Sequence, residues 1–195
     1  MRILALADLH GKETEPVGQH LDLIAIAGDI TTFGGYDEAR EVLERVVAEK
    51  IRVIGVPGNC DYPGVGEYLD EIGANCDQRS IKIGDILFIG LGGSNTTPCN
   101  TPNENHEDEL RRRLAIGVNN DDRLVLISHP PPYGTLVDRT VGGSHVGSKA
   151  VRSFIEEYQP ELAVCGHIHE AKGEDSIGRT RIINPGPNPG FTVDI

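Results

Sequence analysis

Five short polar motifs stand along the chain, each at the end of an apolar run: Asp8-Leu9-His10, Gly28-Asp29, Gly58-Asn59-Cys60-Asp61, Ser128-His129 and Gly166-His167-Ile168-His169. Aspartate, asparagine and histidine offer oxygen and nitrogen donors, and no cysteine pair at zinc-finger spacing accompanies them. That donor set selects divalent ions such as manganese, iron, nickel, zinc or cobalt. Asp8 and His10 sit two residues apart, as do His167 and His169. In extended backbone that spacing turns both members of a pair to one side, toward a common ion. Two divalent ions would bring about four positive charges, of which Asp8 and Asp29 return only two. A site left cationic suits a phosphoryl group. Bound ions lower the pKa of a water toward neutrality and hold the non-bridging oxygens of an in-line displacement, so the chemistry needs no side-chain nucleophile.

The motifs need elements to bring them together. Residues 3–7, 23–27, 51–56, 124–127 and 162–165 are short runs rich in Ile, Val, Leu and Ala, the length and composition of buried strands. Loops leaving the carboxyl ends of such strands gather ligands in one crevice of an α/β sheet, so distance along the chain is no obstacle. Between the runs, residues 37–50, 104–117 and 148–159 have helical character. In the first of these, Ala39, Val42, Leu43, Val46 and Val47 form one apolar stripe. Residues 81–90 read as a hairpin broken at Gly84-Asp85, which calls for a second sheet. Residues 180–183 and 191–193 read as short strands around the proline- and glycine-rich loop 184–190. Glu107-Asp108-Glu109 precedes Arg111-Arg112-Arg113 by four residues. Three i,i+4 pairs on a solvated helix face are expected there, rather than a nucleic-acid contact.

In order and residue type, the five motifs resemble those of the calcineurin-like metallophosphoesterase superfamily, whose pattern is Asp-x-His, Gly-Asp, Gly-Asn-His-Asp/Glu, a lone His, and Gly-His-x-His. The match runs from Asp8 to His169. The small size, the Gly-Asn-Cys-Asp form and the late Asn184-Pro185-Gly186 are similar to the small prokaryotic Icc-related phosphoesterases of that superfamily. The resemblance implies an α/β fold with two facing, mostly mixed sheets flanked by helices in an αββα sandwich, as a single domain over residues 1–195. It implies two divalent metal ions (Mn, Fe, Ni or Zn), one held by Asp8, His10 and His169 and the other by Asn59, His129 and His167, with Asp29 bridging them and a bridging hydroxide as nucleophile. A homodimer is also consistent with it.

One position departs from the family pattern. Cys60 stands where the superfamily carries the histidine thought to contact the scissile phosphate or assist the leaving group. A thiol is a weak donor and lacks the positive charge of an imidazolium. The catalytic set expected is therefore Asp29, Asn59, Cys60 and His129, with leaving-group assistance weakened and phosphodiesters favoured over monoesters. Two alternatives stay open: a phosphomonoesterase or nucleotidase, and a non-catalytic protein-interaction scaffold on the same fold. His145, in the glycine-rich stretch 141–148, is a candidate stand-in acid. Its reading as a solvent-facing loop residue is favoured, because spacing alone does not tie it to the site.

Composition limits the partners. The 195 residues suit one domain with a full core. A formal net charge of -12 repels polyanions outside the metal site, so a small phosphate-ester substrate is expected and bulk nucleic-acid binding is not. No apolar stretch is long enough to span a bilayer, and a strand entered directly at Met1-Arg2-Ile3 leaves no room for a signal peptide. A cytoplasmic protein is expected. Cys60, Cys76, Cys99 and Cys165 are too scattered for a disulfide framework, and Cys165 reads as core. The broken polar stretch 92–102 is a candidate specificity loop, with an ordinary connection equally open. Pro130-Pro131-Pro132 is expected to stiffen the loop holding His129. Tyr133, His20 and His106 have weaker claims, and both histidines are expected to be exposed.

Overall fold

The apolar runs form strands whose alternate residues enter two different cores. The computed structural model describes residues 1–12, 20–115, 118 and 123–195. In chain order the elements are β1 (Arg2–Leu6), β2 (Leu23–Ala27), α1 (Tyr36–Ala48), β3 (Arg52–Val56), α2 (Pro63–Glu71), β4 (Ser80–Ile83), β5 (Ile86–Leu91), β6 (Ser94–Asn95), β7 (Glu104–Asn105), α3 (Glu107–Leu114), β8 (Arg123–Ser128), α4 (Lys149–Tyr158), β9 (Leu162–Val164), β10 (Gly173–Ile177), β11 (Thr180–Asn184) and β12 (Phe191–Asp194). One sheet has the order β12-β1-β2-β3, with β12 antiparallel and the rest parallel. The other has the order β10-β11-β9-β8-β5-β4, parallel in its centre and antiparallel at both edges.

Ile3, Ala5, Leu23 and Ala25 face Phe88, Val125, Leu162 and Ile183 in the core between the sheets. The alternate residues Leu4, Leu6, Ile24 and Ile26 turn outward beneath Val42, Leu43 and Leu69 of α1 and α2. On the other side, Leu124, Leu126 and Ala163 turn outward beneath Leu110 of α3 and Val151, Phe154 and Ile155 of α4. Both faces of the central strands are covered, which is why the runs are apolar throughout instead of alternating. The result is the expected four-layer αββα sandwich of mixed sheets.

Local chemistry sets the element ends. Glu38, three residues into α1, reaches back to the Gly35 N–H at 2.9 Å, and Ser148 caps α4 by accepting from Val151 N at 3.3 Å. Helix α2 was not among the expected elements. Pro63 at its first position marks it, since a fixed φ and a missing N–H cost nothing there. Strand β10 was also not expected, because Gly-Glu-Asp-Ser-Ile is an exposed, polar edge strand. Val47 leaves the predicted stripe and is 37 % exposed.

Two readings of the 104–117 segment need correction. The helix begins at Glu107, because Glu104 pairs in β7 and spends its carboxylate on the preceding loop; residues 116 and 117 of the expected helix lie outside the described residues. The arginine run is only partly solvated. Arg111 and Arg112 pair at i,i+3 spacing with Asp108 and Glu109, but Arg113, its side chain only 7% exposed, donates to both oxygens of Asp77 at 2.8 and 2.9 Å. Glu107 is used elsewhere: its carboxylate accepts from Ser148 Oγ and from the N–H groups of Lys149 and Ala150, fastening α3 to the amino end of α4.

Candidate metal centre

Loops from the carboxyl ends of β1, β2, β3, β8 and β9 meet through their own backbones. Asp8 N donates to Gly28 O at 3.0 Å, His10 N to Asp29 O at 2.9 Å, and Gly166 N to His129 O at 3.0 Å. His167 N donates to Asp8 Oδ1 at 3.0 Å, joining the two sheets. The motif glycines are spaces left for ligands: a Cβ on Gly58 would stand 2.0 Å from Asp29 Oδ1, and one on Gly28, at φ +82, would stand 2.5 Å from His129 Nδ1. The paired donors converge by a route the sequence did not suggest. Asp8, His10, Asp29 and His167 all adopt left-handed backbone, at φ 54, 47, 48 and 71, so tight turns aim them instead of strand alternation. Non-glycine residues held there cost of order 1–3 kcal/mol each, and such strain clusters at functional sites.

All seven predicted donors come together. His10 Nε2 and His169 Nε2 face each other at 3.0 Å; His10 Nε2 lies 3.6 Å from Asp29 Oδ2, and His169 Nε2 lies 3.7 Å from Asp8 Oδ1. Ligand atoms of Asp8, His10 and His169 fall within 4.8 Å of one another, as do those of Asp8, Asp29 and His129. His167 stacks edge-on to His129, with ring centroids 5.1 Å apart.

His129 and Asn59 make a second converging pair. His129 Nδ1 lies 2.7 Å from the Ala27 carbonyl, which can only accept, so Nδ1 carries a proton. Its Nε2 faces Asn59 Oδ1 at 2.7 Å. That amide is oriented by the 92–102 stretch: Thr101 Oγ1 donates to Glu104 Oε1 at 2.7 Å and therefore accepts from Asn59 Nδ2 at 2.8 Å. With its NH2 group committed there, Asn59 can present only its oxygen to His129. The neutral imidazole would then set acceptor against acceptor, an arrangement that a proton or a cation resolves.

Charge states agree with a cation site. Burial opposes ionisation of Asp29, but His129 and the Cys60 N–H outweigh it and hold its pKa below the usual carboxylate value. Burial opposes charge on His129 as well, yet Asp29 and Asp8 raise its pKa, so a metal there would displace a proton. Burial and His129 push His167 down to about 3, leaving its lone pair open to a metal at neutral pH. Asp8 is fully buried, burial raises its pKa, and its Oδ2 has no hydrogen-bond partner among the described residues. An orphaned buried carboxylate oxygen beside converging imidazoles is the environment a divalent ion completes. The residues fit the ions.

Sequence reasoning passed over the side chains that hold the ligands. Asp61, 1 % exposed, accepts from Ile30 N at 3.1 Å, Gly58 N at 2.7 Å, and Thr31 N and Oγ1 at 2.8 and 2.7 Å. It thereby locks the Asp29 loop to the Asn59 loop. Its signal was its place as the last residue of the Gly58-Asn59-Cys60-Asp61 motif.

Beside the donors opens a cavity of about 790 Å³. It is lined by site residues, by Asn95 to Cys99 and Thr101, by Phe33, and by Tyr133, His145 and Lys149. The 92–102 stretch therefore walls the site instead of merely connecting elements. His145 is exposed, as expected of a loop residue, and it also lines the cleft. His20 and His106 are exposed and lie outside this lining. Cys60 lines the cleft as a neutral thiol: burial and Asp29 push its pKa up to about 12.

A model of the calcineurin-like phosphoesterase family matches residues 1–171. An uncharacterised protein of Methanocaldococcus jannaschii is 40% identical over 203 residues, spanning 100% of this chain and 92% of its own. A solved Thermus thermophilus structure superposes with a TM-score of 0.71 at 20% identity, over 95% of this chain and 89% of that one. A dimetal phosphatase from Danio rerio does so with a TM-score of 0.63 at 12% identity, over 95% and 87%. At these identities the two structures speak for the fold, whereas the family match spans every motif of the site, and the chain belongs to the calcineurin-like phosphoesterases, a family that uses divalent metal ions.

Proposed function

We propose that this metal-dependent phosphohydrolase is a phosphodiesterase acting on a small substrate. In this reading Asp8, His10 and His169 hold one ion, Asn59, His129 and His167 hold the other, and Asp29 is shared. The observation that carries the metal assignment is the buried Asp8 carboxylate, whose Oδ2 has no hydrogen-bond partner among the described residues and which is grouped with two imidazole nitrogens only 3.0 Å apart. When bound, two such ions supply a water deprotonated near neutral pH and positive charge for the non-bridging phosphate oxygens. The chain's part is positioning. Ala27 O fixes the His129 tautomer, Thr101 fixes the Asn59 amide, and Asp61 fixes both loops. His10 and His169, with side chains 22% and 44% exposed, form the open side through which an ester reaches the centre.

Cys60 supports the diester. A monoester carries a second negative charge that an imidazolium would help to hold, and a neutral thiol beside Asp29 cannot. A cavity of about 790 Å³ also exceeds what a bare phosphate needs and leaves room for two substituents. None of the four cysteines is disulfide-bonded, which supports a reducing compartment such as the cytoplasm, and no helix among the described residues is long and apolar enough to cross a membrane.

Bis(4-nitrophenyl) phosphate and 4-nitrophenyl phosphate, compared on chelator-stripped protein reloaded with manganese, iron, nickel or zinc, test this reading. Metal-dependent turnover with a higher kcat/KM for the diester is expected. Cys60→His should raise the monoester-to-diester ratio roughly tenfold, and an unchanged ratio would remove the account of the thiol. Silence with every metal despite stoichiometric binding would instead favour the scaffold. Thr101→Val removes the acceptor that orients Asn59, so metal titration should show affinity weakened by about 10- to 100-fold with the fold intact.

A further inference from the structure

His145 is a histidine in the cleft that the proposed ligand set does not use. It shares the cavity wall with His10, Asp29, Asn59, Cys60 and His169. Its Nδ1 lies 2.7 Å from Asp138 Oδ1, and Asp138 is fully buried. A carboxylate only accepts, so Nδ1 carries the proton toward Asp138 and Nε2 is the ring's other nitrogen. This is the orienting arrangement of a histidine that transfers protons: a buried acid fixes its tautomer.

The fold does not need an imidazole at this position. Asp138 already accepts from the N–H groups of Gly134, Thr135 and Gly147 at 3.0, 2.9 and 3.0 Å, which close the loop by themselves. The other polar groups around the ring are Tyr133, with ring centroids 6.1 Å apart, Lys149, whose Nζ lies 5.5 Å from the Tyr133 centroid, Glu107 on the same cavity wall, and Arg139, whose backbone bridges to His145. An exposed histidine anchored by a buried carboxylate, lining the cleft of a centre whose own motif carries a thiol, has a vacant role to fill.

We propose that His145 protonates the leaving oxygen, with Asp138 as its positioning residue. This rests on the phosphodiesterase reading above. The oxygen of water forms the new P–O bond while the P–O bond to the leaving group breaks. The electron pair of the broken bond takes the proton from Nε2 of the His145 imidazolium, giving the free alcohol or phenol, and the proton shed by the water recharges the ring through solvent. The sum is water plus diester giving monoester plus alcohol.

The test is a leaving-group series on the metal-loaded protein: methyl 4-nitrophenyl, methyl 4-chlorophenyl and methyl phenyl phosphate. For His145→Gln the loss in kcat/KM is expected to grow along the series. It should be at most about threefold where 4-nitrophenolate leaves unaided and on the order of 100-fold where phenolate needs a proton. Metal content should match the wild type. Imidazole added to His145→Gly should rescue the phenyl ester more than the nitrophenyl ester. A loss equal across the series, or none, would overturn the proposal while leaving the hydrolase standing. A metal-loaded wild type inert toward all three diesters would overturn the phosphodiesterase reading, and the proposal with it.

Discussion

Asp29→Ala is expected to lose metal binding at the shared position and to lower kcat/KM by at least on the order of 1,000-fold. Asp29 is 2 % exposed and stands between the two donor groups, with Oδ1 3.5 Å from His129 Nε2 and Oδ2 3.6 Å from His10 Nε2. Asp61 cannot take its place, being committed to four donors. Asp29→Asn separates charge from shape. The amide oxygen still accepts from Cys60 N, now at 2.8 Å, yet the variant should fail nearly as badly because a neutral bridge leaves two divalent ions unshielded. Metal stoichiometry and turnover, measured together, decide the matter. Two retained ions with full activity would show that the assignment is wrong.

Without metal, the same carboxylate has a second effect. Its folded pKa is depressed, so the stability it contributes is present above the unfolded value of about 3.9 and is lost as pH falls through the folded one. Asp29 variants of the metal-free protein should therefore differ from wild type at neutral pH and converge with it in acid.

The strands and the seven donors were legible because both are properties of residue type. A fully covered strand must be apolar on both faces, and a hard-to-borderline ion must be met by carboxylates, amides and imidazoles. What was not legible is how the chain delivers them. Nothing in Asp8-Leu9-His10 announces two residues in left-handed backbone, so the expectation of extended spacing does not describe how these donors are aimed. Thr101 looked like loop composition and Glu104 like the start of a helix. Their role depends on a hydroxyl being able to donate only once, which appears only when its partners are seen. Arg113 looked like Arg111 and Arg112, although the three residues leave a short helix in different directions and one of them meets Asp77. His145 was rightly read as exposed, but its place on the cleft wall was not legible because its anchor, Asp138, is another residue that no spacing rule connects to a metal site.

Asp61→Ala is expected to destabilise the protein by roughly 3–5 kcal/mol, since each buried donor left without an acceptor costs about 1–3 kcal/mol and entering water recovers only part of it. Oδ1 serves Thr31 N and Oγ1, whereas Oδ2 serves Ile30 N and Gly58 N. The Thr31 hydroxyl can turn to Gly34 O, at 3.1 Å, so the three backbone N–H groups carry most of the cost. The accounting makes a sharper claim for Asp61→Asn. Whichever way the amide is turned, its NH2 group faces backbone donors, so the near-isosteric change should be about as damaging as truncation. Urea midpoints for the two variants measure this directly, and a mild Asn variant would mean that water or backbone movement satisfies these groups. Because Ile30 follows Asp29 and Gly58 precedes Asn59, both variants should also weaken metal binding before they unfold. A carboxylate that contacts no metal in this reading thus holds two ligands in register, and its removal should be felt first as lost affinity and then as lost fold.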